Sequence, residues 1–433
     1  MRILTTLAAA LALHGAALAE PTKILFVGNS YTFARVDPAM SYNAANVDDM
    51  TRPRPEDPEP NFTDTVGTRA WEPHPWGGVP GIFKQLADQA GRQFDVSLST
   101  RNAASLRGHF LNTANNGNTD WDLRGNIARK KWDIVVLQEQ SDAALPKGRG
   151  ANANPEVFKA YADKIEQYVH IGAGGTYRER EIFGGSTEAC QAMTGLSERN
   201  CNALRTIPKN DNANAKADVY LMQTWARPDM VFPHLSTVPD ANYPTVPDGR
   251  PIVDTSNPAF PNGFPDTLYY EAEGLAGMTA DLGTAFADKL KSNPNFAGVI
   301  PVGDAFQRAV DTGIAKGDGF YTADGVYAPA VPQDKINLWW DDYLHASKYG
   351  SYLSALVIFG KLTGINPASF GANEKAAADL GIGPGDAVKL QQVAWDQLAA
   401  AGVPLKTVPC LHAHPNAPGA GPGSRSAVVC GRR

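Results

Sequence analysis

Short apolar runs rich in β-branched and aromatic residues recur along the chain at wide intervals: "KILFVG" (23–28), "FDVSLST" (94–100), "WDIVVLQ" (132–138), "ADVYLMQT" (217–224) and "FAGVIPVG" (296–303). Each is short and apolar enough to be a strand buried on both faces. Between them the pattern lengthens to the period of a helix. "GIFKQLADQAG" (81–91) puts Ile82, Leu86 and Ala90 on one stripe and stops at Gly91. "PEVFKAYADKIEQYV" (155–169) and "EAEGLAGMTADLGTAFADKLKS" (271–292) keep the same rhythm. After Leu344, "HASKYGSYLSALVIFGKLTG" (345–364) reads as a largely apolar helix ending at Gly364. Strands alternating with helices imply a parallel sheet covered on both faces, so the expected fold is a three-layer α/β/α sandwich of about five strands.

Three long stretches interrupt the pattern, 36–80 rich in Pro, Asp and Asn, 243–265 rich in Pro, and 312–337 irregular, and loops of such length are usually functional or disordered. The main domain is expected over 20–375, with a C-terminal extension over 376–433 that ends in a Pro/Gly-rich tail. Residues 1–19, "MRILTTLAAALALHGAALA", carry Arg2, an apolar middle and a small-x-small site at Ala17-Leu18-Ala19. That is the pattern of a secretory signal, an anchor helix being the other reading. The mature chain is expected from near Glu20, exported to the periplasm or secreted, and no later apolar run is long enough to span a bilayer.

Composition narrows the function. A net charge of −6 with 19% charged residues leaves no basic footprint for nucleic acid. The 32 Pro and 41 Gly accompany an ordinary 43% of hydrophobic residues, which fits long irregular loops on a packed core. Export favours disulfides among Cys190, Cys201, Cys410 and Cys430, which allow three connectivities. The local pairs Cys190–Cys201 and Cys410–Cys430 need the least loop closure. A metal site on Cys410, His412 and His414 lacks an x-x-spaced cysteine pair, so no metal is expected.

Ser30 follows the first strand in "KILFVGNSYT", at the edge where open α/β sheets keep their ligands. Neither G-x-x-x-x-G-K-[ST] nor G-x-G-x-x-G is present, which removes a phosphate loop. The G-x-S-x-G elbow has its first glycine in Gly28, but Thr32 replaces the second. Far downstream, "WWDDYLHASKYG" places Asp342 three residues before His345. One short turn then delivers both a base for a serine proton and a carboxylate that steadies the imidazolium. Asp341 is the alternative orienter, whereas His74 and His109 read as loop or structural histidines.

Together, "GNSYT" and "DYLHASKYGSYLSALVIFG" resemble the SGNH (GDSL-type) serine hydrolase superfamily over Lys23 to Gly364, and are most similar to bacterial members with a Gly-Asn-Ser nucleophile block. The resemblance implies a flavodoxin-like sandwich and a triad of Ser30, His345 and Asp342, with no metal or organic cofactor. It also implies an oxyanion hole made by the N–H of Ser30, a backbone N–H after the second strand and a side-chain amide after the third. In "RNAASLRGHF", Ala103-Ala104 stand where the family has glycine, with Ala104 the expected donor; in "VVLQEQSDAAL", Gln140 stands at the asparagine position. Gln138 and Gln140 otherwise read as caps of the strand edge. Trp71, Trp76 and Trp340 are expected to bind substrate, the other reading of these and of Trp339 being hydrophobic plugs. The expected activity is that of an exported esterase removing short acyl groups, such as acetyl, from a saccharide or small polar alcohol. The rival is a catalytically silent polysaccharide-binding protein of the envelope, in keeping with the absent second-block glycine and third-block asparagine. The oligomeric state has no signature in the sequence.

Overall fold

Residues 20–51, 75–111, 122–240 and 250–408 are described by the computed structural model. Residues 1–19, expected as a signal, lie outside them, as do Trp71, His74, Cys410, His412, His414 and Cys430.

The strands in chain order are β1 (Thr22–Gly28), β2 (Asp48–Asp49), β3 (Phe94–Thr100), β4 (Ile134–Gln138), β5 (Gly175–Arg178), β6 (Leu204–Ile207), β7 (Asp218–Met222), β8 (Thr237–Pro239), β9 (Pro251–Val253) and β10 (Phe296–Ile300). Six of them form one sheet in the order β10-β7-β4-β1-β3-β2, and every neighbouring pair is parallel. Helices cover it, giving the α/β/α sandwich expected from the alternating pattern. All five apolar runs are strands of this sheet. The sixth, β2, carries no apolar signal. It forms because Met50 N–H bonds the carbonyl of Leu98 (2.9 Å) and Asp49 accepts from Trp76 N–H (2.9 Å) and the Thr51 hydroxyl (2.9 Å).

Three helices matter for the site: α1 (Ser30–Phe33), α2 (Gly78–Gln89) and α3 (Leu106–Leu111). The helix Lys348–Thr363 is buried from Gly350 to Gly360 and ends at Gly364, whose φ of 67° is the left-handed stop its position predicts. The segment expected as a C-terminal extension from 376 begins inside the helix Lys375–Asp379. It continues as the helix Pro384–Ala400, which buries Leu390, Val393, Ala394 and Leu398. A Cβ on Gly360 would come within 2.3 Å of Leu398, so these helices touch backbone to side chain. The long helix of the extension thus packs directly on the helix Lys348–Thr363.

Between the helix Pro155–His170 and β7, the chain makes the antiparallel pair β5–β6 and three short helices. The disulfide Cys190–Cys201 closes this excursion as its spacing predicts. Buried Glu179 ties it to α3, accepting from Arg107 at 2.6 and 2.7 Å, from Arg205 at 2.5 Å and from the Tyr161 hydroxyl at 2.6 Å. The stretch 243–265, read as an irregular loop, contains β9, which pairs antiparallel with β8. No described helix is long and apolar enough to cross a membrane.

Candidate active site

β1 has β3 on one side and β4 on the other, so the order of the sheet reverses there and a crevice opens at the carboxyl end. Ser30 stands at that point, as the first residue of α1. The turn leading to it has no room for a side chain at residue 28. A Cβ there would lie 2.3 Å from Thr32 Oγ1 and 2.5 Å from Gln138 Oε1, which accounts for Gly28. Thr32, the residue that broke the elbow motif, donates its hydroxyl to Gln138 Oε1 (2.9 Å). The same oxygen accepts from Asn29 N–H (2.9 Å), and Asn29 Nδ2 donates to the carbonyl of Ala104 (2.9 Å). Beneath the turn, His109 Nε2 bonds the carbonyl of Gly28 (2.7 Å). Burial pushes that imidazole down to about 4, which fits a neutral structural histidine.

His345 reaches this turn from the far end of the chain. Its Nε2 lies 2.7 Å from Ser30 Oγ and its Nδ1 lies 2.5 Å from Asp342 Oδ2. The other oxygen of Asp342 accepts from the N–H groups of Leu344 (3.0 Å) and His345 (2.8 Å). Burial pushes the Asp342 carboxyl up, but the attraction of His345 and these hydrogen bonds outweigh it and hold the group below the usual carboxylate range. Asp342 therefore stays ionised and fixes the proton on Nδ1, leaving the Nε2 lone pair toward the serine.

The loop holding Asp342 and His345 is tight and well anchored. Trp339 and Ala346 form an antiparallel bridge, and Trp340 N–H bonds the carbonyl of His345 (2.8 Å). Tyr343 between them has a φ of 53°, a left-handed conformation that a bulky residue adopts only under constraint. Its ring is buried and its hydroxyl donates to the carbonyl of Ala328 (2.6 Å). Trp225 donates to the carbonyl of Leu344 (3.1 Å) and stacks on Tyr31 with ring centroids 3.8 Å apart. The aromatic stack thus joins the residue after Ser30 to the residue before His345.

Asp341, the alternative orienter, faces elsewhere: it accepts from the Tyr327 hydroxyl and lies 3.9 Å from Arg250. Trp340 lines a cavity of about 540 Å³ together with Asp342, His345, Tyr327, Arg250 and Asp229. Trp76 does not reach it. That ring is 1% exposed and stacks on Phe33 at 3.8 Å, so it is a core plug rather than a substrate contact. Trp339 is likewise buried, with its indole N–H on the carbonyl of Ala226 (3.0 Å).

The oxyanion donors need one correction. Ala103 has a φ of 54°, the conformation a glycine would favour, and the N–H of Ala104 closes that turn on the carbonyl of Arg101 (3.1 Å). Ala104 is therefore engaged in the turn as a donor, and its carbonyl receives Asn29. Gln140 is half-buried, and its amide donates to Ser141 Oγ (3.2 Å). The N–H of Ser30, as the first of a helix, has no intrahelical acceptor.

Several residues went unread as part of the site. Gln138, read as a strand cap, instead builds the turn at Ser30, and Glu139, which carried no reading, bonds the loops on either side of it. Half-buried Arg227 pairs with Asp229 at 3.0 and 2.5 Å and donates to Ser141 (3.1 Å). The only trace of these in the sequence is polar residues directly after a strand, at the edge that holds ligands. Among the described residues no group of three His, Cys, Asp or Glu side chains is placed to hold a metal ion.

No known family profile matches the sequence, and no curated protein matches it. Solved structures do. A DUF4886 family protein from Bacteroides uniformis is 13% identical, covering 90% of this chain and 98% of its own, with a TM-score of 0.39. A candidate SGNH hydrolase from Slackia heliotrinireducens is 15% identical over 79% of this chain and all of its own, with a TM-score of 0.33. Phospholipase A1 from Streptomyces albidoflavus is 9% identical over 72% of this chain and 93% of its own, with a TM-score of 0.29.

Proposed function

We propose that this chain is an SGNH-type serine hydrolase that cleaves esters through an acyl-enzyme. One observation carries the reading: the unbroken relay from Asp342 through His345 to Ser30 Oγ, at 2.5 and 2.7 Å. Binding alone would require none of that arrangement. Ser30 Oγ attacks the acyl carbon while its proton passes to His345 Nε2. The carbonyl oxygen takes the negative charge beside the Ser30 N–H, with the Gln140 amide as the second donor. As the tetrahedral intermediate collapses, the leaving alcohol takes the proton from Nε2. Water then gives its proton to the same nitrogen and attacks the acyl-enzyme, and the carboxylic acid leaves as Ser30 recovers its hydrogen. No step calls on a metal or an organic cofactor.

The cavity next to His345 sets Trp340 and Tyr327 among Arg250, Asp341 and Asp229, beside an apolar wall of Val238, Ile252, Val253 and Val326. Its charged and aromatic side suits a sugar face and its hydroxyls. We assign the activity to short acyl groups, acetyl foremost, on a saccharide or similar alcohol outside the cytoplasm. The rival of a silent polysaccharide-binding protein draws on one observation, the engagement of the Ala104 N–H within its own turn.

The test compares kcat/KM on acetyl, butyryl and octanoyl nitrophenyl esters, then acetate release from an acetylated oligosaccharide. A fluorophosphonate should label Ser30 in the same preparation, and Trp340→Ala should raise KM for the oligosaccharide about tenfold with less change for nitrophenyl acetate. Oligosaccharide binding without turnover or labelling would establish the silent reading. A steady rise toward octanoyl with no acetate release would overturn the substrate class.

A further inference from the structure

Glu139 is 1% exposed, directly after β4, and no cation neutralises it among its hydrogen-bond partners. Its Oε1 accepts from two backbone N–H groups, Leu106 at 3.0 Å and Gln140 at 2.7 Å. Leu106 opens α3 after the loop that leaves β3, and β3 is separated from β4 by β1. The carboxyl therefore bridges the sheet order across the strand that carries Ser30. Its neighbour Gln138 holds the turn after β1 itself, through Asn29 N–H and Thr32 Oγ1. Two consecutive side chains thus fasten the three segments that surround the serine.

We propose that Glu139 is a positioning residue: it ties the loop after β4, which carries Gln140, to the start of α3, and so fixes where the Gln140 amide meets the oxyanion formed at Ser30. The inference rests on the hydrolase reading above. A buried carboxyl with only N–H partners carries a desolvation cost that an apolar residue would avoid, and burial pushes this one up to about 7. A displacement of about 1 Å at a reacting centre is worth about 10²-fold in rate, so an acceptor that fixes both loops has leverage without touching substrate.

The experiment uses the full chain and nitrophenyl acetate, with kcat expressed per Ser30 titrated by a fluorophosphonate. Glu139→Met keeps the volume and removes the acceptor; Glu139→Gln keeps one oxygen for both N–H groups. The expected result is a fall of about 10²-fold in kcat for the Met variant, KM within about threefold, and recovery to within about fivefold of wild type in the Gln variant. Should the Met variant fail to fold, Glu139→Ala is read in its place, and failure of both with a fully active Gln variant would mean a role in folding alone and overturn the inference. Wild-type kcat per titrated site in the Met variant would overturn it too, as would a Gln variant no better than Met. An inactive wild type would instead overturn the hydrolase reading itself, and this inference with it.

Discussion

Asp342→Asn probes the relay at the link that places the proton. An asparagine keeps the shape of the carboxylate but has one oxygen for three hydrogen bonds: Leu344 N–H at 3.0 Å, His345 N–H at 2.8 Å and the ring Nδ1 at 2.5 Å. If the oxygen stays on the two backbone N–H groups, the NH₂ faces Nδ1, which must then be the unprotonated nitrogen. The ring proton moves to Nε2, and no lone pair remains toward Ser30 Oγ. If the amide flips, Nδ1–H keeps its acceptor but the NH₂ faces two buried donors, at about 1–3 kcal/mol for each one left unmade. The unreactive tautomer is thus preferred by about 2–6 kcal/mol. Loss of the carboxylate also leaves the imidazolium unsteadied in the transition state. Together these predict a fall of about 10⁴-fold in kcat, or about 5 kcal/mol, which is the scale known for the same change in a protease triad. The assay is kcat on nitrophenyl acetate at neutral pH, with the melting temperature confirming the fold. A loss below about tenfold would show that Asp342 does not orient the base.

Two further outcomes follow from buried groups. Glu139 has its carboxyl raised to about 7 from an ordinary 4.5, so its contribution to stability is complete below about 4.5 and is lost as pH rises to 7, by about 3 kcal/mol. Glu139→Gln does not titrate, so its melting temperature should gain on wild type from pH 4.5 to 7 and hold a constant difference above; a difference independent of pH would refute the assignment. Cys190 and Cys201 are 11 residues apart, and a bridge closing such a loop is worth about 3 kcal/mol. The double variant Cys190→Ser, Cys201→Ser should lose that much in a denaturant titration, and an unchanged midpoint would mean that Glu179 with Arg107, Arg205 and Tyr161 holds the excursion alone.

The sheet was legible in the sequence because β1 and β4 are buried along most of their length and appear as apolar runs, while β3, β7 and β10 are short stretches rich in β-branched and aromatic residues. The Asp342–His345 pair was legible because three residues of turn bring both groups together without help from the rest of the chain. What the sequence hid depends on tertiary context. β2 is an acidic pair that becomes a strand only because Leu98 and Trp76 are beside it. Trp76 looked like a cleft residue from its Pro-rich surroundings, but Phe33 lies at stacking distance and draws it into the core. Ala104 fell at a family donor position, yet the left-handed Ala103 turns its N–H back onto Arg101. Gln138 read as a cap on a strand end, and Glu139 beside it carried no signal at all. Their partners lie on segments 30 to 110 positions away, a distance no local pattern encodes.

Ser30 and His345 are 315 residues apart, near opposite ends of the domain. A chain in the course of synthesis therefore presents its serine long before it has a base, and that serine is no more reactive than any surface hydroxyl. On the proposed hydrolase reading, reactivity switches on only when the loop before the helix Lys348–Thr363 docks against the completed sheet. Contacts of such separation are among the slowest to form, because loop-closure entropy must be overcome first. The appearance of hydrolysis after dilution from denaturant should consequently lag behind the recovery of helical signal, making turnover a reporter of the last step of folding.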